Sequence, residues 1–195
     1  MTMRDLMRWA AAPLAGLALA ACERGSEKAE SAAETPRPSS RTLAAELKAE
    51  SHLDTLERVV DNAELATVLD GKGPYTVFAP QNAAFGAAGE TLGSEAMKAQ
   101  GAALLRAHIV PGALTQEDIR AALQTSGGSK VEMRTMSDSI LTFTGQGDAI
   151  VVTASDGSKA RLVGDQKLAS NGVIHPVDGV LIKQDAPTPA TAPAP

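Results

Sequence analysis

Tyr75-Thr76-Val77-Phe78-Ala79-Pro80-Gln81-Asn82-Ala83-Ala84-Phe85 is the stretch from which the rest of the chain is read. It follows a Gly71-Lys72-Gly73-Pro74 breaker, runs through β-branched and aromatic residues, and stops at Pro80. This pattern predicts a short buried strand, a proline stop, and a helical turn capped by Asn82 that folds Phe85 back toward the core. The stretch holds the one tyrosine and two of the three phenylalanines. In a chain so poor in aromatics, that marks an organising centre of the core.

Upstream, Thr42 opens a helical pattern as N-cap, with Ala45 and Glu46 in the first turn. Leu53 to Leu69 then reads as an amphipathic helix. Leu53, Leu56, Val59, Val60, Ala63, Val68 and Leu69 share one side, Asp54, Glu57, Arg58 and Asp61 the other, and a break falls at residues 62–64. Downstream, a helix from Ser94 (its cap) to His108 turns Met97, Leu104 and Leu105 inward. Pro111-Gly112 turns the chain, and Thr115 to Asp118 form a capping arrangement for a short helix ending near Gln124, with Ile119 and Leu123 inward.

From Lys130 the period becomes two. Residues 131–135, 140–144, 149–153 and 160–163 are strand candidates, joined by turn compositions that suit hairpins, and Asn171-Gly172 signals a turn ahead of the final strand pair. Helices first and a β-meander after predict an α+β domain. No internal repeat is present, so one domain is expected.

The ends read differently. Arg4 and Arg8 precede an apolar run from Trp9 to Ala21, too short for a membrane helix of ~20 residues but suited to a signal-peptide core. Leu19-Ala20-Ala21-Cys22 has the form of a bacterial lipoprotein cleavage box, the alternative being an ordinary signal peptide beside an incidental Cys22. Residues 23–40 carry no apolar side chain larger than alanine and read as a solvated tether of roughly 25 Å. Residues 186–195 hold four prolines among Ala and Thr and read as an extended tail. The expected divisions are therefore 1–21, signal peptide; 22–40, lipidated Cys22 and tether; 41–185, folded domain; 186–195, tail.

Three segments in order resemble the fasciclin domain family. Thr76 to Phe85 is similar to its first signature, His108-Ile109-Val110-Pro111-Gly112 to its central histidine block, and Asn171-Gly172-Val173-Ile174-His175-Pro176-Val177-Asp178-Gly179-Val180-Leu181 to its second signature. Gln81 stands where the family usually has Thr, and Pro176 where an apolar strand residue is usual, which implies an unpaired edge or bulge there. The resemblance implies a β-wedge of about seven strands with helices packed along one edge and the two signatures as neighbouring strands. Its signature positions Thr76, Phe78, Pro80, Asn82, Phe85, His108, Asn171, Gly172, His175 and Asp178 are the structural or binding candidates. His108 either caps backbone carbonyls or contacts a partner. Asp178 either satisfies N–H groups at the turn before Gly179 or joins a binding face. Asp118-Ile119 has the Asp-Ile form of adhesion dipeptides in animal relatives.

Catalysis finds little support in the sequence. Ser170, His175 and Asp178 are close along the chain, but there is no Gly-x-Ser-x-Gly elbow and His175 lies in a strand candidate. His52, His108 and His175 are far apart with no His-x-x-x-His pair, and the glycine pairs lack a following Lys-Ser/Thr. No cofactor or metal is expected, and the chain is read as not an enzyme. The charge of −5 with no basic cluster argues against nucleic acid. The expected function is a non-catalytic, membrane-anchored binding module of the bacterial cell envelope, on the periplasmic face or cell surface. Its partners would be membrane lipid, through acylated Cys22, and an envelope or extracellular protein or polysaccharide. A periplasmic small-ligand carrier or sensor is the alternative.

Overall fold

A computed structural model describes residues 37–183 apart from Ala87 and Ser129. The expected signal peptide, Cys22, most of the tether, and the tail lie outside those residues. The first helix, α1 (Leu43–Ala49), starts where Thr42 predicts: its hydroxyl accepts from Ala45 N at 3.3 Å and donates to Asp70 at 2.6 Å. Leu43 and Leu47 are buried, so α1 is held by its apolar face rather than by its own seven residues.

The amphipathic run is two helices, α2 (Asp54–Asn62) and α3 (Ala66–Leu69). They are separated at the expected break, where Glu64 takes a left-handed φ of 54°. Strand β1 (Tyr75–Pro80) follows, then α4 (Asn82–Phe85), α5 (Ala88–Leu92) and α6 (Lys98–His108). Ser94 sits at the expected cap position, but its hydroxyl donates to Thr91 O instead of capping.

The turn expected at Pro111 is preceded by a strand, β2 (Ile109–Pro111), which pairs antiparallel with β1. α7 (Gln116–Thr125) carries the predicted capping box, with the Thr115 hydroxyl and the Asp118 carboxylate serving each other's backbone N–H. The meander is β3 (Val131–Arg134), β4 (Ile140–Gln146), β5 (Ala149–Ala154) and β6 (Lys159–Arg161). β7 (Lys167–Ala169) and β8 (Gly172–Val177) close the domain, with the Asn171-Gly172 turn between them rather than ahead of them.

Among the described residues, eight strands form two four-stranded sheets, ordered β2-β1-β8-β7 and β3-β4-β5-β6. The signature strands β1 and β8 lie side by side and parallel, Thr76 opposite Val173 and Phe78 opposite His175. Helices α1 to α6 cover one face of the first sheet through Val77, Ala79 and Ile174. The second sheet and α7 cover its other face through Phe78, Val110 and Val177. All six residues of β8 are therefore buried, which is why its apolar residues do not alternate with solvated ones and its one polar side chain, His175, is enclosed. Phe78 meets Phe143 at a centroid distance of 5.3 Å and 47°, while Phe85 is buried on the helical side.

Pro176 pairs with β1 opposite Ala79, and the break it implies falls on the other side. β7 has ended by then, and the Pro176 carbonyl instead accepts from Val163 N at 2.9 Å.

Candidate functional site

The three signature segments converge where β1, β8 and the chain after β2 meet, and each polar side chain there has a main-chain partner. Thr76 is fully buried; its hydroxyl donates to Gly112 O at 2.7 Å and accepts from Leu114 N at 2.9 Å, fixing the loop after β2. Asn171 joins three elements. Its Oδ1 accepts from Leu43 N at 2.8 Å, at the start of α1, and its Nδ2 donates to Leu69 O and Gly71 O, both at 2.7 Å, at the end of α3. Its backbone carbonyl accepts from Tyr75 N as β1 begins. Orphan groups of two helix ends are thus satisfied by one amide. Gly172 follows because a β-carbon at that position would overlap the Tyr75 carbonyl oxygen.

Asn82 is a cap, but not of its own helix. Gln81 occupies the N-cap of α4 without a side-chain bond. Asn82 instead accepts from Thr55 N at 2.9 Å and donates to Ser51 O at 2.9 Å, capping the first turn of α2 across the chain. Pro80 ends β1, paired with Val177.

His108 serves one carbonyl and one N–H rather than two carbonyls. Nδ1 bonds Leu104 O at 2.7 Å and Nε2 accepts from Leu181 N at 2.8 Å. Only the neutral ring protonated at Nδ1 satisfies both. Burial lowers its pKa from 6.5 to about 4, against the opposing effects of the Leu104 carbonyl and Asp156. His175 is buried against Phe78, its ring nearly parallel at 5.5 Å, with Nε2 donating to Leu114 O at 2.7 Å. Its Nδ1 is buried without a partner, and burial lowers this pKa too, against the Leu114 carbonyl.

Asp178 is exposed, and its carboxylate accepts from Arg161 N on β6 at 2.6 Å, so it ties the second sheet to the first rather than serving the turn at Gly179. Among the described residues no hydrogen bond joins Ser170, His175 and Asp178: the imidazole donates to Leu114 O and the carboxylate accepts from Arg161 N. They form no relay. Asp118 is held below its usual pKa by the Thr115 hydroxyl and N–H it accepts from, and Ile119 is fully buried, so the Asp-Ile pair is not a presented dipeptide.

Among the described residues, no group of three or more His, Cys, Asp or Glu is placed to hold a metal. Two shallow clefts stand out. One of about 220 Å³ is lined by His52, Gln81, Asp165, Lys167 and Pro176, and one of about 350 Å³ by Arg120, Leu123 and the β4–β5 turn. They fall below and at the foot of the ~300–1,000 Å³ range usual for small-molecule sites.

Sequence reasoning missed the partners of these side chains more than the side chains themselves. The Leu114 backbone, which both Thr76 and His175 hold, carries no signal in its own residue type. The segment Ser39 to Arg41, read as solvated tether up to Ser40, is bonded along β7: Ser39 N donates to Leu168 O, and Ser170 N donates to Arg41 O, both at 2.8 Å. Its serines gave no apolar pattern to find.

The same architecture occurs in the solved FAS1 domain pair from the insect cell adhesion molecule Fasciclin I. That likeness has a TM-score of 0.63 at 18% identity and covers 75% of this chain and 52% of that one. Protein sll1483 of Synechocystis sp. is 32% identical over 160 residues, 80% of this chain and 81% of that protein. Human Stabilin-1 is 30% identical over 156 residues, and the transforming growth factor-beta-induced protein ig-h3 of Sus scrofa is 33% identical over 150. The chain spans only 6% and 19% of the lengths of those two animal proteins. The fasciclin domain profile matches residues 51–183, and this chain belongs to the fasciclin domain family.

Proposed function

We propose that this chain is a non-catalytic binding module of the bacterial cell envelope, held at a membrane through acylated Cys22 and presenting one fasciclin domain to an extracellular or envelope protein or polysaccharide. The observation that carries the non-catalytic reading is the commitment of the signature side chains. Thr76, Asn82, His108 and Asn171 all bond main-chain groups of their own fold, and among the described residues the one buried side-chain polar atom left over is Nδ1 of His175, whose ring lies against Phe78. A reaction needs a nucleophile and a base free to meet a substrate, and these groups hold the wedge together instead.

The binding reading is supported by membership of the fasciclin domain family and by the fold shared with an insect cell adhesion molecule, and the anchored reading by the Leu19-Ala20-Ala21-Cys22 box. A diacylglycerol on Cys22 and a further acyl chain would anchor durably, since each buried CH₂ contributes ~0.8 kcal/mol and one chain alone binds marginally.

Two measurements test the proposal. Labelled palmitate should enter the wild-type chain and not Cys22→Ala; equal labelling of both, or of neither, refutes the anchor. Envelope protein or polysaccharide captured by the wild-type chain should be lost on deleting residues 41–185, and unchanged capture refutes the module.

A further inference from the structure

Two open sheets have four edges, and in this domain three are closed by the chain itself. The outer edge of β7 is taken by Ser39 and Arg41, whose backbones bond Leu168 O and Ser170 N. The outer edge of β6 is taken by Asp178, whose N–H donates to Arg161 O at 3.1 Å and whose carboxylate accepts from Arg161 N. The outer edge of β2 receives Met136 N at Ile109 O, 2.8 Å away, and Pro111 removes a donor from it.

The fourth edge is β3; its continuation meets β2 at Met136, and among the described residues no hydrogen bond reaches the outward backbone groups of Glu132 and Arg134. Thr135 N turns inward to Ser139 O at 2.9 Å and Met136 N turns outward. By the alternation of a strand, Glu132 and Arg134 therefore direct their N–H and C=O groups outward, while Val131 and Met133 bond β4. Val131 and Met133 also pack on the core of the second sheet and remain only partly buried there, because the sheet stops at them.

Natural edges are often blunted by charge, and charges of one sign would repel a copy of themselves. The charges on β3 have opposite signs, and their spacing decides what they do. If two copies of β3 lie antiparallel about a dyad at Met133, Glu132 of each stands opposite Arg134 of the other. That register places the outward N–H and C=O groups of these residues against one another, giving four backbone hydrogen bonds and two complementary cross-strand pairs, with Val131 and Met133 gaining cover from the copy. The present partners of these charges are exposed: Lys130 lies 2.6 Å from Glu132, and Asp138 lies 3.4 Å from Arg134. Exchanging such partners costs little.

We propose that β3 is a self-pairing edge, through which two copies of this chain join their second sheets antiparallel at Val131–Arg134. The proposal concerns a second copy of this chain and stands whether or not a foreign partner exists. Four residues a side bury less than the ~1,200 Å² of a stable complex, so the association is weak and concentration-dependent. It suits a protein crowded on a surface.

The test is sedimentation equilibrium of the full chain carrying Cys22→Ala in mild detergent, so that neither acylation nor a disulfide contributes. The expected result is a monomer–dimer equilibrium that salt weakens. Glu132→Arg makes the edge all positive and Arg134→Glu makes it all negative, and each alone should weaken association at least about tenfold. Mixed in equal amounts, the two variants face each other with complementary charges, and association should return. Both side chains are exposed, so circular dichroism of the variants should match the wild type. In the wild type, amide exchange at Glu132 and Arg134 should slow as concentration rises. A wild-type chain that stays monomeric to about 1 mM, a dimer indifferent to Arg134→Glu, or a mixture that stays monomeric overturns the proposal.

Discussion

Acid should destabilise this domain in a window set by His108, and the direction of the effect follows from its burial and its two hydrogen bonds. The neutral ring donates from Nδ1 to Leu104 O and accepts at Nε2 from Leu181 N–H. Protonating Nε2 would set one donor against another inside the core, and burial already disfavours the charge, so the pKa falls from 6.5 to about 4. The unfolded chain takes up its proton near pH 6.5 and the folded chain only near 4. Stability is thus complete above about pH 6.5 and is lost as pH falls toward 4. At about 1.4 kcal/mol per pH unit that loss is about 3 kcal/mol, a large share of the ~5–15 kcal/mol that stabilises a typical domain. His175, its pKa lowered in the same direction, adds to the slope. Asp118 and Asp156 act lower, below the usual carboxylate range. Burial raises the pKa of Asp156, and the hydrogen bonds from Ser158 and Lys183 overcome it. The assay is urea unfolding at intervals from pH 8 to 4, in the wild type and in His108→Gln. The variant should be less stable at pH 7, and the gap should close by about 3 kcal/mol as pH falls to 4. Parallel curves for the two proteins, or a wild-type curve flat between pH 6.5 and 4, would refute the reasoning.

Three further outcomes follow from the same geometry. Asn171→Ala leaves Leu43 N, Leu69 O and Gly71 O without their partner; at ~1–3 kcal/mol for a buried unsatisfied group, the urea midpoint should fall by an amount equal to about 3–5 kcal/mol, and a loss below about 1 kcal/mol would show that water replaces the amide. Thr76→Val keeps the shape and removes the hydroxyl between Gly112 O and Leu114 N; a loss of about 1–3 kcal/mol is expected, with faster amide exchange at Leu114 as the local readout. A chain beginning at Ser51, where the family match starts, lacks α1 and the Ser39–Arg41 cover of β7. Leu43 and Leu47 are buried, and removing each such side chain costs ~2–5 kcal/mol, so this truncation should show no cooperative melt while a chain beginning at Arg37 should.

Much of this fold was legible where a residue type has one mechanical use. Thr42 and Thr115 cap the helices they precede, the break before α3 falls at residues 63–65, one place past the expected 62–64, and Gly147-Asp148 closes a hairpin. What escaped is non-local. Ile109-Val110-Pro111 is too short to declare itself a strand, and it is one only because β1 lies beside it. Asn82 was read as capping its own helix because a cap acts on the next turn in the usual case; tertiary structure carries it instead to α2, twenty-seven residues back. That β1 and β8 are neighbours came from the resemblance, since no periodicity distinguishes which of two buried strands lie together, and their parallel direction is seen only in the structure. His108 and His175 could be named as structural, but their tautomers depend on Leu104, Leu181 and Leu114, whose backbones leave no trace in residue type.

The location of these contacts also constrains where recognition can reside. The signature is recognisable because its side chains do jobs few other residues can: Thr76 both donates and accepts, Asn171 satisfies two helix ends, Gly172 admits the Tyr75 carbonyl. Those jobs face inward, and an inward-facing group at 0% exposure, as Thr76 and His175 are, cannot touch a partner without the wedge opening. On the proposed function, binding falls to positions that the signature leaves free, such as exposed Lys159, with half-buried Thr142 and Thr153 in register beside it across β4, β5 and β6. Substitutions there should change what the module holds without moving its melting point, whereas substitutions in the signature should move the melting point first and binding only through it. A signature variant that lost binding while its urea midpoint stayed fixed would break that separation and place a partner contact inside the wedge.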